Sequence, residues 1–181
     1  QLDPLSTYAA HMLALVRLAR KDYDGSVSEF QSAINLNPSW TWGYIKMGVA
    51  YANKGMFREA LLAAETAEGR LRQGDTPMAR AWLGYVYATS GRKERAREAL
   101  VRFRRSTKTL REGALNEAII HAGLRDKQHV LELLEQGLEQ RSVDMIYIKA
   151  LPIFFWPGLE SEPRFQQVVQ RMGLPVSAQK P

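Results

Sequence analysis

The sequence contains no cysteine, which excludes disulfide frameworks, thiolate metal sites and cysteine nucleophiles. It also lacks an uninterrupted apolar run of about 18 residues, the length a membrane-spanning helix needs. Hydrophobic residues make up 45% of the chain and charged residues 24%. That balance is typical of a folded protein and too apolar for a disordered one. With 181 residues the chain is long enough for one large domain or two small ones.

The sequence patterns of catalysis are missing as well. There is no phosphate-binding loop, no GxSxG nucleophile elbow and no pair of carboxylates beside a basic partner. We therefore predict that the chain is not an enzyme and binds no cofactor.

Two patterns suggest metal ligands without completing a site. His121 and His129 are eight residues apart with Asp126 between them, but a metal site would need a third and a fourth ligand, and there is no cysteine to supply them. The segment 22–26 resembles the start of a calcium loop, yet it lacks a third acidic ligand, and Gln31 stands where a glutamate would be required. We therefore predict no metal site, a packed histidine at position 121 and an ordinary turn at 22–26.

Positive charge is concentrated in one segment. The chain has a formal charge of +6, whereas residues 92–111 alone carry +7, so the remainder is close to neutral. Such a segment could bind nucleic acid or an acidic surface, or it could be the solvated face of a helix. Phe103 is the only aromatic residue among these arginines, and stacking on bases normally needs more. The candidate basic patch consists of Arg95, Arg102, Arg104, Arg105 and Lys108.

The sequence repeats with a period of 34 to 36 residues. Leu2-Asp3-Pro4 recurs as Leu36-Asn37-Pro38, and the segment 47–52 recurs as 83–88. A period of this length indicates helical hairpins that stack on one another, because a single hairpin cannot bury both of its apolar faces. Gly48 and Gly84, facing Ala60 and Ala96, would let the paired helices approach closely. Tyr51 and Tyr87 would fill the seams between neighbouring hairpins.

The repeating residues resemble the tetratricopeptide repeat, a helix–turn–helix unit of 34 residues. The matching positions are Leu13, Ala14, Ser26, Phe30, Ala33 and Pro38 in repeat 7–40; Tyr44, Met47, Gly48, Tyr51, Ala60 and Ala67 in repeat 41–74; Leu83, Gly84, Tyr87, Ala96, Leu100 and Phe103 in repeat 77–110; and Ala118, His121, Val130 and Leu134 in a degenerate repeat 111–144. The resemblance implies an all-α fold, a right-handed α-solenoid with a C-terminal capping helix. Residues 1–6 resemble the end of a preceding repeat, so we expect the chain to be a fragment of a longer protein.

The pattern predicts eight helices separated by polar turns, with proline marking two of the breaks. Their expected ranges are 7–20, 24–36, 41–54, 58–72, 77–90, 93–105, 111–123 and 127–140. The apolar run 145–148 suits either a helix or a strand.

The period stops after residue 144, and residues 145–175 form a separate closing segment. Phe165, Val168, Val169 and Met172 have the spacing of an amphipathic helix, with Ser161 as the expected N-cap and Gly173 as the stop. The segment resembles one that closes repeat arrays behind bacterial winged-helix regulators, Ser/Thr kinases or cyclases. We expect it to cap the last repeat, and we expect residues 176–181 to be a flexible tail.

The resemblance places a peptide-binding groove on the first helices of the repeats. Carried over position by position, the groove residues are Tyr8, His11, Leu15, Trp42, Ile45, Val49, Asn53, Met78, Tyr85, Leu115 and Ile119. Because these side chains are mostly aromatic or aliphatic, the expected ligand is an apolar helix or extended peptide. The clamp that some of these proteins use for a chaperone's C-terminal carboxylate is absent, since His11, Leu15, Lys46, Met78 and Trp82 occupy its positions.

The sequence therefore predicts a protein-interaction scaffold, the sensor or docking region of a bacterial regulatory protein in signalling or transcription regulation. The groove could hold a protein or peptide partner, a second copy of the chain in a homodimer, or the chain's own tail. The rival is a nucleic-acid or acidic-surface binder that uses the basic patch. For the compartment we favour the cytoplasm, with the periplasm as the alternative if a membrane anchor lies upstream.

Overall fold

The chain is helical throughout the residues that the computed structural model describes, which are 4–71, 76–107 and 109–175. No strand occurs in these ranges, so the predicted all-α class is confirmed. Nor does any helix within them combine the length and the apolar character that a membrane crossing requires. Lys108 of the basic patch, the predicted tail 176–181 and the first three residues of the predicted repeat end lie outside the described residues.

Nine α-helices lie within the described ranges, and 3₁₀ and π-helical turns fill much of the stretch between the last two. The α-helices are α1 (Pro4–Ala19), α2 (Tyr23–Leu36), α3 (Thr41–Lys54), α4 (Phe57–Arg70), α5 (Pro77–Thr89), α6 (Lys93–Ser106), α7 (Ala114–Gly123), α8 (Lys127–Glu139) and α9 (Pro163–Arg171). The ends of α1–α8 lie within about three residues of the predicted ones. The run 145–148 forms no strand, because most of it belongs to a 3₁₀ turn, Val143–Tyr147.

The turns repeat as regularly as the helices do. Lys21, Gly55, Gly91 and Arg125 follow the first helices of the four pairs, and all adopt left-handed backbone angles, with φ of 62°, 86°, 82° and 61°. A left-handed residue ends a helix and reverses the chain within a few residues. Asp22 accepts a hydrogen bond from the Gly25 amide (3.0 Å) as the N-cap of α2, so the segment 22–26, predicted to be an ordinary turn, is the start of this helix.

Successive helices pack as hairpins, and the hairpins contact one another. α1 packs on α2, α3 on α4, α5 on α6 and α7 on α8, while α3 contacts α5 and α5 contacts α7. The main apolar cluster runs from Leu18 in α1 to Val169 in α9. Tyr87 lies in a seam as predicted, because it is buried in α5 and its hydroxyl donates to Glu68 Oε2 of α4 at 2.7 Å.

The closest helix approach is not at the predicted glycines. A methyl group on Gly48 would make only ordinary contacts with Ala60 and its neighbours, and one on Gly84 would meet Ile120 and Ala99 instead of Ala96. A Cβ on Gly123, in contrast, would lie 2.9 Å from the Tyr85 carbonyl oxygen. Glycine is therefore required where α7 approaches the backbone of α5.

The closing segment packs against α8. Phe165, Val168 and Val169 are buried, and Arg164 donates two hydrogen bonds to the Glu135 carboxylate, at 2.7 and 2.8 Å. Gly173 follows α9 with φ of 72°, as expected of a stop. The N-cap prediction was wrong: α9 begins at Pro163, and the Ser161 hydroxyl donates to the Gly158 carbonyl within a preceding 3₁₀ turn.

Candidate partner-binding groove

A cavity of about 460 Å³ lies where the first helices of the hairpins meet the closing segment. We call it the groove. Its lining is His11, Leu15, Trp40, Trp42, Lys46, Met78, Trp82, Leu115, Asn116, Ile119, Asp144, Tyr147, Ala150, Leu151, Phe154 and Phe155. Residues far apart in sequence thus meet at one mainly apolar surface, the usual character of a ligand site.

Aromatic rings form one wall of the groove. The ring centroids of Trp42 and Trp82 are 5.9 Å apart, and those of Trp82 and Phe155 are 4.9 Å apart, both in edge-to-face arrangements. Such pairs stabilise each other beyond the area they bury. Trp42 and Trp82 are only partly buried, so a ligand can contact them.

The closing segment supplies the other wall. Phe155 also packs on Tyr85, with centroids 4.9 Å apart, and Asn53 donates to the Phe154 carbonyl at 2.7 Å. The Tyr85 hydroxyl in turn donates to Asn53 Oδ1 at 2.6 Å, and burial raises the pKa of Tyr85 to about 12. The chain's own residues 154 and 155 therefore occupy the place where Asn53 and Tyr85 would meet a ligand.

Lys46 brings a positive charge into this apolar surface. Its Nζ lies 5.9 Å from the ring centroid of Trp40 and 5.8 Å from that of Trp42, within the range of cation–π attraction. Its hydrogen-bond partner is His11 Nε2, at 2.6 Å. Burial lowers the pKa of Lys46 to about 8. Burial and the Lys46 charge lower the pKa of His11 to about 4, so His11 is a neutral acceptor at pH 7.

Among the described residues, no carboxylate forms an ion pair with Lys46. Asp144 also lines the groove, but its carboxylate is already satisfied. It accepts from the backbone amide and side-chain amide of Asn116, both at 2.9 Å, and from the Ser142 hydroxyl at 2.7 Å. Lys46 is therefore a cation held in the groove without a compensating anion.

The predicted groove residues fall into three groups. His11, Leu15, Trp42, Met78, Leu115 and Ile119 line the groove. Tyr8 lies beside it, exposed and in ring contact with His11. Ile45 and Val49 are completely buried in the core, and Tyr85 and Asn53 are engaged by the closing segment. Ile45 and Val49 therefore have no surface to offer a partner, and the side chains of Asn53 and Tyr85 are already hydrogen-bonded within the chain.

Sequence reasoning missed Trp40, Lys46, Trp82, Asn116 and the closing-segment residues of the groove. Lys46 and Asn116 each follow a predicted groove residue, Ile45 and Leu115, by one position, so a wider selection along each first helix would have included them. The contribution of Phe154 and Phe155 had no such signal, because their segment lies outside the repeat period.

The predicted basic patch is largely paired with carboxylates. Arg95 and Arg102 both donate to Glu68, at 2.5 and 3.3 Å, and Arg104 donates to the buried Glu117 at 2.8 Å. Arg105 is exposed on α6. The positive field of α6 is therefore weaker than its composition implies, because its neighbours neutralise part of it.

No protein-family model, curated protein or solved structure matches this chain.

Proposed function

We propose that this chain is a non-catalytic protein-interaction module that binds an apolar segment of another protein in the groove, with a side-chain carboxylate of that segment on Lys46. We further propose that its hairpins are tetratricopeptide repeats in a right-handed solenoid, the docking or sensor region of a bacterial regulatory protein.

The observation that carries the proposal is the half-buried Lys46 ammonium, which lies in an aromatic surface and has no anionic partner among the described residues. Holding a charge away from water costs free energy unless an opposite charge or hydrogen bonds compensate it. A carboxylate entering beside Trp40 and Trp42 would supply that compensation, and desolvated charge-assisted hydrogen bonds are strong. Partly exposed tryptophans beside such a charge are typical of binding hot spots.

The repeat assignment is supported by the helix pairs and by the spacing of their turns. Four hairpins with left-handed turns at 21, 55, 91 and 125 reproduce the period in the sequence. Contacts between α3, α5 and α7 are those that stacked first helices would make. In the resembling proteins these helices line the ligand groove.

The test is to select short peptides that bind the full chain from a displayed random library. The selected peptides are then synthesised with an amidated C-terminus, and their binding is measured. We expect selected peptides to combine aromatic or aliphatic residues with one Asp or Glu. Their binding should weaken at least about tenfold in Trp42→Ala and in Lys46→Met, as expected for hot-spot residues. Phe57→Ala, which removes an exposed aromatic ring of α4 outside the groove, should bind like the wild type.

Four outcomes would contradict the proposal. Peptides without acidic residues could be selected equally well, or binding could survive both groove substitutions. Loss of binding on amidation alone would show that a C-terminal carboxylate is the ligand group. Light scattering that shows a Trp42-dependent dimer with no peptide affinity would assign the groove to self-association.

A further inference from the structure

The turn between α7 and α8 brings two histidines and a carboxylate together. His121 lies in the last turn of α7, Asp126 is the N-cap of α8, and His129 lies in the first turn of α8. Asp126 Oδ2 is 2.7 Å from His129 Nδ1 and 3.5 Å from His121 Nδ1. One ligand atom from each residue can be chosen so that all three lie within 4.8 Å of one another.

The two imidazole rings face each other at short range. Their centroids are 5.0 Å apart, and their planes differ by 14°. The Nδ1 atoms of both rings lie near the same oxygen, Asp126 Oδ2. The helix turn fixes this placement, since α7 and α8 are packed as a hairpin.

His121 carries a feature that hydrogen bonding within the cluster does not explain. The residue is 7% exposed, and both of its ring nitrogens are buried without a hydrogen-bond partner. A neutral imidazole has one donor and one acceptor nitrogen, and buried polar atoms of this kind are nearly always satisfied. Asp126 and His129 are explained by helix capping, because Asp126 also accepts from the His129 backbone amide. His121 is not.

We propose that His121, Asp126 and His129 bind a divalent transition-metal ion of the zinc class, through the three atoms that converge at this turn. Two imidazoles and one carboxylate are an established ligand set for zinc, and three protein ligands leave a fourth position for water. Ligands about 2.0–2.1 Å from a tetrahedral zinc are about 3.3 Å apart, so small side-chain rotations close the site. The ion would give a buried His121 nitrogen its missing partner.

The site is separate from the groove and from the proposed peptide function. His11, the remaining histidine, lies in the groove beside Lys46. The metal would join the end of α7 to the start of α8, so its effect is on the stability of the hairpin and not on the groove lining. Sequence reasoning noted Asp126 between the two histidines but predicted no metal site, because there is no cysteine to complete the ligand set; the fold brings the Asp126 carboxylate within reach of both rings.

The experiment is a zinc titration of the full chain, purified without a histidine tag and monitored by calorimetry. We expect one zinc ion per chain and a rise in the unfolding temperature with added zinc, since an ion that binds only the native state stabilises it. Cobalt should give the strong visible absorption of a tetrahedral site. His129→Asn, a change at an exposed side chain that should not disturb folding, should weaken zinc binding at least about tenfold, as should His121→Tyr.

Two further variants complete the test. Asp126→Asn keeps an N-cap oxygen for α8 but removes the carboxylate charge, and it should also weaken binding. His11→Gln should bind zinc like the wild type. The proposal would be overturned if the chain bound no zinc at micromolar concentrations, or if His129→Asn bound zinc as tightly as the wild type. It would also be overturned if His11→Gln were the only variant that lost zinc binding.

Discussion

At the scale of single residues, the placement of Lys46 is unfavourable for stability. Its side chain is half-buried beside two tryptophans, and its hydrogen-bond partner is a neutral histidine. Residues that lower stability in this way are typical of functional sites, where binding rather than folding determines the side chain.

Lys46→Met should therefore stabilise the folded chain. The folded-state pKa of about 8 lies below the ordinary 10.5. At pH 7 the ammonium is therefore less stable in the folded chain than in the unfolded chain. Since one pKa unit corresponds to about 1.4 kcal/mol, we expect a gain of about 1–3 kcal/mol at pH 7. Urea denaturation measures it, and Lys93→Met, at an exposed lysine of α6, is the control.

The same pKa gives a pH dependence with a definite sign. Between about pH 8 and 10.5 the unfolded chain binds more protons at this lysine than the folded chain, so its contribution to stability rises with pH. The contribution should be present in the wild type and absent in Lys46→Met. If the free energy of unfolding changed with pH in the same way in both proteins across this range, the burial of the Lys46 charge would be contradicted.

At the scale of helices, the contact between α7 and α5 is tightly constrained by backbone. An added Cβ at Gly123 would lie 2.9 Å from the Tyr85 carbonyl oxygen and 3.0 Å from its Cα, and backbone cannot move aside easily. Gly123→Ala should therefore destabilise the chain by about 1–3 kcal/mol, the usual cost of overpacking. Thermal and urea unfolding would measure it.

Gly69 provides the matched substitution. It is exposed in α4, and a Cβ there would meet nothing within 4 Å. Gly69→Ala should leave stability unchanged or raise it by up to about 1 kcal/mol, because alanine is the better helix former. Equal changes in the free energy of unfolding for Gly123→Ala and Gly69→Ala would contradict the close approach of α7 to α5.

The closing helix gives a second test at this scale. Phe165 is buried where α9 packs on α8, so Phe165→Ala should cost about 3–5 kcal/mol, as is usual for a core phenylalanine. Gln167→Ala, on the exposed side of α9, should change stability by less than about 0.5 kcal/mol. A Phe165→Ala protein with wild-type unfolding would show that α9 does not cap α8.

The repeat period explains which elements were predictable from sequence. α2 to α6 combine apolar spacing with a recurring left-handed turn or a proline, and each of these is a local signal. The segment 143–161 has no such period. Its 3₁₀ and π-helical turns form because Met145, Leu151 and Phe155 bury their side chains against the hairpins, and tertiary packing of this kind leaves no local signature. The same applies to Ser161, which resembles an N-cap but lies one residue before the actual one, Glu162.

At the scale of the whole molecule, the groove combines residues that the sequence keeps far apart. α1, α3, α5 and α7 contribute one surface, and the closing segment returns to complete it through Phe154 and Phe155. The family resemblance predicted residues of the first surface. The second surface and the charge state of Lys46 follow only from the packed chain, because burial is a property of all neighbours together.

A double-mutant cycle between Lys46 and the acidic residue of a selected peptide measures their interaction most directly. The four dissociation constants are those of the wild type and Lys46→Met, each with the peptide and with its Glu→Gln form, measured by calorimetry at pH 7. If the carboxylate meets Lys46 in the groove, the coupling free energy should be at least about 1.5 kcal/mol, as found for close charge pairs across interfaces. A coupling within about 0.5 kcal/mol of zero, the range of independent sites, would contradict this account of the groove.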